Sequence, residues 1–378
     1  MKRLADLSFS LNITVLKVIG IYPLDNYKLL HKVYAYVIYV VSMVPVSIFC
    51  LLHFTCASDL TDFKNNDFVM IAVIFYTIKF FPCLLNRNKI KQCIHYFDRF
   101  DYSLADHKKI IDECVSTCQR NSKIFFMGCV AAVTGLAGQT LMNLNELSLD
   151  IWLPKFVRDK PVYFYTVQFL IVAAATYSGM SCGTIDSLMG GLCYHATAQI
   201  RVLKRNLQLL DQSVSVFEDK AAKSRRIFLE IKKCVRHHQA IQSFVQEYQD
   251  CFSAVMFTQF AASTLVMAFL CFQLSKMTVG LNFLTAANDV VVVAFQILFY
   301  CYYGTLLIEE SKSLLDAIYM SGWYEYDLKS KKALILFMER SKKPMIVTAG
   351  KMLQLSLETF TVILKRTYSF LAVLENYS

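Results

Sequence analysis

The residues of this chain able to do chemistry fall in three places. The first is its final apolar stretch, Pro344 to Leu374, which carries Glu358, Lys365 and Arg366. A stretch of that length can cross a bilayer. Charges at membrane depth cost about 3 kcal/mol each on insertion scales, and they face a partner or water. A charged spanning helix therefore predicts a water-filled path, with at least one cation facing it or an acid such as Glu358. The second place is Cys234 with His237 and His238. These are metal-ligand types, but they lie on a basic amphipathic helix, where packed or solvated histidines are expected. The third place is Thr134, Gly135, Gly138, Gln139 and Met142, towards one end of another apolar stretch. Gly135, Gly138 and Met142 share a face. Small residues there either let helices approach closely or leave room for a ligand.

Little else points to chemistry. No phosphate-cradling glycine loop, dinucleotide fingerprint, nucleophile elbow or H-E-x-x-H helix occurs. Neither catalysis nor a cofactor is expected. The 13 cysteines are an odd number, scattered through apolar and basic segments without framework spacing. No C-x-x-C pair occurs, so zinc is not expected and buried free thiols are.

The elements that carry these residues are membrane helices. The chain is 56% hydrophobic and only 18% charged, with mean hydropathy +0.41, a balance rare in soluble domains. The first apolar run begins near Val33, too late and too long for a cleaved signal peptide. Seven spans are predicted: Val33–Phe54, Phe68–Leu85, Ile124–Met142, Val162–Leu188, Cys251–Leu274, Leu281–Ile308 and Met345–Leu374. Unsatisfied backbone is intolerable in lipid, so each is a helix. Pro45 is a candidate kink. Pro344 suits a first helical turn. Lys79, near one end of the second span, is expected to snorkel.

Lys and Arg set the orientation. With the N-terminus inside, the inner segments carry 30 basic residues and the outer ones 5. That asymmetry predicts a cytoplasmic N-terminus and, after seven spans, an extracellular C-terminus. The net charge of +10 is then inner-face charge, and no nucleic-acid partner is needed. The topology is opposite to that of G-protein-coupled receptors. Asp98–Arg99–Phe100 resembles their Asp-Arg-Tyr motif but follows the second span. Inner segments also carry helical stripes: Ile200, Leu203, Leu207 and Leu210, then Ile227, Ile231, Val235, His238, Ile241 and Val245. The fourth and fifth helices therefore continue below the membrane, joined by a connector at about Gln212 to Arg225. Glu325 to Arg340 adds a short amphipathic helix. In the first 32 residues Leu4, Leu7, Leu11, Val15 and Val18 form a stripe for the membrane interface or for the bundle. Asn12-Ile13-Thr14 is a glycosylation sequon, unusable on an inner N-terminus.

From Tyr302 onward the chain resembles the C-terminal signature of insect odorant receptors. The matching motifs are Glu309–Glu310–Ser311, Ala317–Ile318–Tyr319, Ser321–Gly322–Trp323–Tyr324, Lys342–Lys343–Pro344, Thr359–Phe360 and Lys365–Arg366–Thr367–Tyr368–Ser369. The related gustatory receptors, the nearest alternative, have Thr-Tyr in place of Thr359–Phe360. A transporter with Glu358 and Lys365 as coupling charges is a further alternative, although neither repeats nor broken helices are visible.

The resemblance implies an all-α protein of seven transmembrane helices with cytoplasmic extensions in a subunit-anchoring bundle. Residues 1–32 would be an inner amphipathic segment and 33–310 the first six helices, extended over about 190–250. Residues 311–343 would be the anchor and 345–374 the pore helix. It implies one subunit of a ligand-gated, non-selective cation channel in the plasma membrane of a sensory neuron dendrite. The partners implied are co-receptor subunits, in a hetero-oligomer of four, and a small volatile apolar odorant. The odorant would bind in the outer half of the bundle. Beside the third-helix residues, the facing candidates are Ile71, Ile74, Phe75, Gln168, Ile171, Val172, Phe283, Ala287 and Val290. Matching the co-receptor's last turns places the gate at Val373, Asn376 and Tyr377, with Tyr377 where the co-receptor has leucine. Lys365 and Arg366 replace small co-receptor residues. Four copies would ring a cation pore with eight cations and oppose conduction, whereas one copy among co-receptor subunits is tolerable. The subunit anchor is expected at Trp323, Leu328, Leu334 and Phe337.

Overall fold

The computed structural model describes residues 3–24, 27–56, 67–100, 105–142, 147, 149, 160–210, 220–277 and 280–377. The chain folds as long helices packed side by side, because each apolar run satisfies its own backbone by coiling. Helices α1 (Leu4–Ser8) and α2 (Ser10–Ile19) precede the first long helix, α3 (Lys28–Cys56), which contains Pro45. Next come α4 (Asp67–Leu85) and the short α5 (Arg87–Ile94). The long helices α6 (Ala105–Met142), α7 (Pro161–Gln208), α8 (Lys220–Lys276) and α9 (Leu281–Tyr319) follow. The chain then forms α10 (Leu328–Ser341), a two-stranded hairpin of β1 (Thr348–Ala349) and β2 (Leu353–Gln354), and α11 (Leu357–Tyr377).

Among the described residues, five stretches are by themselves long and apolar enough to cross a membrane, within α3, α6, α7, α8 and from α9 onward. Helix α4 joins them if counted with α5, into which the chain bends by 74°. Helix α11 is not among them; its 21 residues carry Glu358, Lys365, Arg366 and Glu375. At 1.5 Å per residue the 57-residue α8 is about 85 Å long, far beyond a hydrocarbon core of about 30 Å. The predicted extensions beyond the membrane are thus continuous with the spans. Residues 211–219 of the connector between them lie outside the described residues, as do 57–66 and 150–159 of the predicted outer segments.

The final span differs from the expectation. Pro344 does not open it, and Met345–Leu374 is not one helix. After Pro344 the chain forms the hairpin, whose turn holds Gly350 at φ +61° and Lys351 at φ +59°. Gly350 accepts that left-handed conformation without a Cβ penalty. The hairpin is bolted to α8: Gly350 N–H donates to the Ser253 carbonyl at 2.9 Å and Gln249 Nε2 to Thr348 Oγ1 at 2.6 Å. Leu357 N–H then donates to Thr305 Oγ1 at 2.9 Å, which fixes where α11 starts.

The N-terminal helices pack on the bundle, on a face rotated from the expected stripe. Phe9, Ile13, Leu16 and Ile19 are buried, whereas Leu7 and Val18 are exposed. Asn12 turns the face: its buried amide donates to the Thr184 carbonyl at 3.0 Å and Ser187 Oγ at 2.8 Å, and accepts from Ser122 at 2.6 Å. The sequon asparagine is therefore a structural clamp. Asp98 is another, accepting from Ala5 N–H at 3.0 Å and pairing with His95 at 2.8 Å.

Candidate functional site

Helix α4 positions the apolar wall. Ile71, Ile74 and Phe75, spaced to share a face, meet Phe54 of α3 and Leu265 and Phe269 of α8 around a crevice of about 280 Å³. All six side chains are apolar, a lining suited to a small ligand with few hydrogen-bonding groups. The structure thus brings together three of the predicted ligand residues and adds Phe54, Leu265 and Phe269. Sequence alone pointed to no pairing of α3 and α8 around α4.

The other candidates lie elsewhere. Gln168 and Ile171 of α7 are buried, and Gln168 Nε2 donates to Thr140 Oγ1 at 3.2 Å, tying α7 to α6. Val172, Phe283, Ala287 and Val290 are half-buried, and Val290 packs against the core. Thr134 is exposed, its hydroxyl donating to the Val130 carbonyl at 2.9 Å. A Cβ at Gly135 or Gly138 would meet nothing within 4 Å. Close packing against the described helices of this chain therefore does not explain these two glycines. It explains Gly183 of α7, whose Cβ would strike Cys129 of α6. Gln139 and Met142 belong to α6, with side chains outside the described residues.

One turn below Phe75 the structure departs from the expectation for Lys79. Lys79 does not snorkel; it is fully buried. Its ammonium donates to Asp186 Oδ1 at 2.7 Å, Gln259 Oε1 at 2.7 Å and Cys182 Sγ at 3.2 Å. Tyr300 also donates to Asp186 Oδ1, and Gln259 Nε2 reaches Gln296 Oε1 at 3.2 Å. Four helices, α4, α7, α8 and α9, thus converge on one buried ion pair. Snorkelling failed because an acid was available across the bundle, and pairing is how a charge survives there. A lone Asp in the fourth span was the available sequence signal.

The charged last helix opens a second space. Glu358 and Arg366 line a cavity of about 420 Å³ between α8 and α11, together with Phe260, Leu265 and Ile363. Lys365 and Arg366 are both exposed. Leu265 lines this cavity and the α4 crevice alike. Val373, Asn376 and Tyr377 fall in the last turns of α11, their side chains outside the described residues.

In the anchor segment, Leu334 and Phe337 point inward: both are buried, and Phe337 meets the His238 ring edge-on at 5.3 Å. Trp323 is half-buried. Leu328, Ile335 and Leu336 are the outward side chains, 69%, 51% and 72% exposed. A groove of about 1110 Å³ runs between α8 and α10, lined by Phe228, Val235, Leu336 and Met345. His237 and His238 are packed histidines. His237 bonds Gln199 at 3.1 Å. Burial pushes both imidazoles down to about 4, helped by His107 and His238 beside the first and Arg340 beside the second.

A multi-pass helical bundle with an apolar crevice, a buried ion pair and a charged last helix has the makings of a membrane receptor. The comparisons make the class specific. The chain belongs to the insect odorant receptor family: the family described as 7tm Odorant receptor matches residues 59–368. Odorant receptor Or1 of Anopheles gambiae is 24% identical over 98% of this chain and 95% of its own length. Odorant receptor 19a of Drosophila melanogaster is 28% identical over 71% of this chain and 68% of its own. Among solved structures, the insect olfactory receptor OR5 of Machilis hrabei in complex with eugenol superposes with TM-score 0.80 at 13% identity, covering 98% of each chain. The family match sets the gustatory alternative aside.

Proposed function

We propose that this chain is the odour-tuning subunit of a ligand-gated cation channel, working with co-receptor subunits in the plasma membrane. The observation that carries the reading is the crevice of six apolar side chains against α4. Burial of apolar surface, at about 25 cal/mol per Å², supplies most of the affinity for a volatile molecule. The relative of known structure that holds eugenol supports a ligand of that size class. Leu265 is the short route from ligand to pore helix, since it borders both the crevice and the cavity under α11. A ligand that wedges Leu265 shifts the equilibrium only by its differential affinity for the open form. Exposed Lys365 and Arg366 favour a heteromer, because one such helix per pore tolerates cation flow better than four. The outward Leu328, Ile335 and Leu336 supply the subunit contact.

The test is expression with and without a co-receptor, screened against a volatile panel. Odorant-gated current only in the co-expressing cells is expected. Saturable uptake without conductance would favour a transporter instead.

A further inference from the structure

Two thiols and an imidazole meet at the inner end of the bundle, away from the crevice and the pore helix. Cys114 and Cys118 are four apart on α6, hence on one face. His195 comes from α7. Their ligand atoms all lie within 4.8 Å of one another, and all three residues are about 1% exposed. The imidazole is held in one pose. Phe97 stacks on it at 5.4 Å and 22°, and Phe9 packs at 5.4 Å. Nε2 bonds Ser8 Oγ at 2.9 Å. Among the described residues the buried Nδ1 has no hydrogen-bond partner, which leaves it as the nitrogen open to a ligand.

We propose that Cys114, Cys118 and His195 bind a thiophilic divalent cation, zinc above all, which staples α6 to α7 beneath the membrane. The ligand types are those of structural zinc. Ser8 on the remote nitrogen does what an outer partner does for a metal-bound histidine, fixing tautomer and ring orientation. With Nε2–H donating to Ser8, Nδ1 presents its lone pair to the metal. Zinc with two thiolates and one neutral imidazole carries no net charge, which suits a site sealed from water. A calcium or magnesium ion would need oxygen ligands instead. Around tetrahedral zinc the donor atoms lie about 3.5–3.8 Å apart, so the cluster closes by roughly 1 Å. Binding releases the two thiol protons, with no redox change.

The experiment is metal analysis of the full chain purified in detergent and washed with a weak chelator. The parent is expected to retain about one zinc per chain, and cobalt exchanged into it should show a thiolate charge-transfer band. Cys118→Ser and His195→Ala should lose both signals, while Cys193→Ala, which removes a buried thiol outside the cluster, should keep them. A parent without zinc and without the cobalt band overturns the proposal, whatever the variants do. So does zinc retained by folded Cys118→Ser. If those variants fail to fold, the parent's two signals and their survival in Cys193→Ala still decide.

Discussion

At the residue scale the buried Lys79–Asp186 pair is the strongest constraint in the bundle. Neither partner is measurably exposed, and Tyr300, Gln259 and Cys182 satisfy what remains of their bonding capacity. Removing one member leaves a bare charge, which costs about 3–5 kcal/mol. Asp186→Ala is therefore expected to reduce thermal stability in detergent sharply. Lys79→Met combined with Asp186→Leu should recover much of the loss, since a matched apolar pair carries no stranded charge. A double-variant loss equal to the sum of the two single losses would show that the pair is not coupled. The sequence displayed both residues but not their meeting, because 107 positions separate them and no local pattern links them. The crevice was better legible: Ile71, Ile74 and Phe75 share a helix face whatever packs against them. Gly138 makes a second test. A Cβ there meets open space, so Gly138→Leu should fold and reach the surface. If the outer third helix borders the ligand, the odorant response shifts or disappears; an unchanged response to every active odorant removes α6 from the pocket.

At the element scale, periodicity located the long helices but not where they cease to be membrane helices. Stripes such as Ile227, Ile231 and Ile241 are buried as expected. The hairpin before α11 was missed because four strand residues make no period and Pro344 mimics a helix start. The N-terminal face was misjudged because Asn12, polar by type, is the inward clamp. Two predictions belong to these elements. His238 joins α8 to α10, and burial pushes its imidazole down from 6.5 to about 4. A neutral ring favoured by folding stabilises fully above the unfolded value and loses that contribution as pH falls from 6.5 towards 4. Thermal stability should therefore fall over that window, and His238→Gln should remove part of the dependence, His237 supplying a like share. In α11, Lys365→Gln, expressed with a co-receptor, should alter single-channel conductance or divalent permeability while leaving the odorant concentration dependence nearly intact. Conductance and selectivity equal to the parent would remove Lys365 from the ion path.

At the scale of the whole molecule, charge asymmetry predicts a direction across the membrane. The inner segments hold 30 of the 39 Lys and Arg residues, and the rule that reads them concerns insertion, not folding. The helices themselves are compatible with either orientation, so packing adds nothing to this question. What packing does add is a consistent distribution of parts. The clamps around Asn12, Asp98 and Glu310 all lie at the end that the basic residues assign to the cytoplasm. There Glu310 receives Arg201 and Lys204, each at 2.8 Å, while the apolar crevice lies in the other half of α4. An epitope tag at the N-terminus should thus bind antibody only after permeabilisation, and a tag after Ser378 should be accessible on intact cells. Both tags inside would mean that α11 does not cross, which its four charged residues in 21 make the specific point at risk. An N-terminal tag labelled on intact cells would invert the molecule. It would turn the Leu328–Leu336 face outward and rule out the cytoplasmic subunit contact proposed for it.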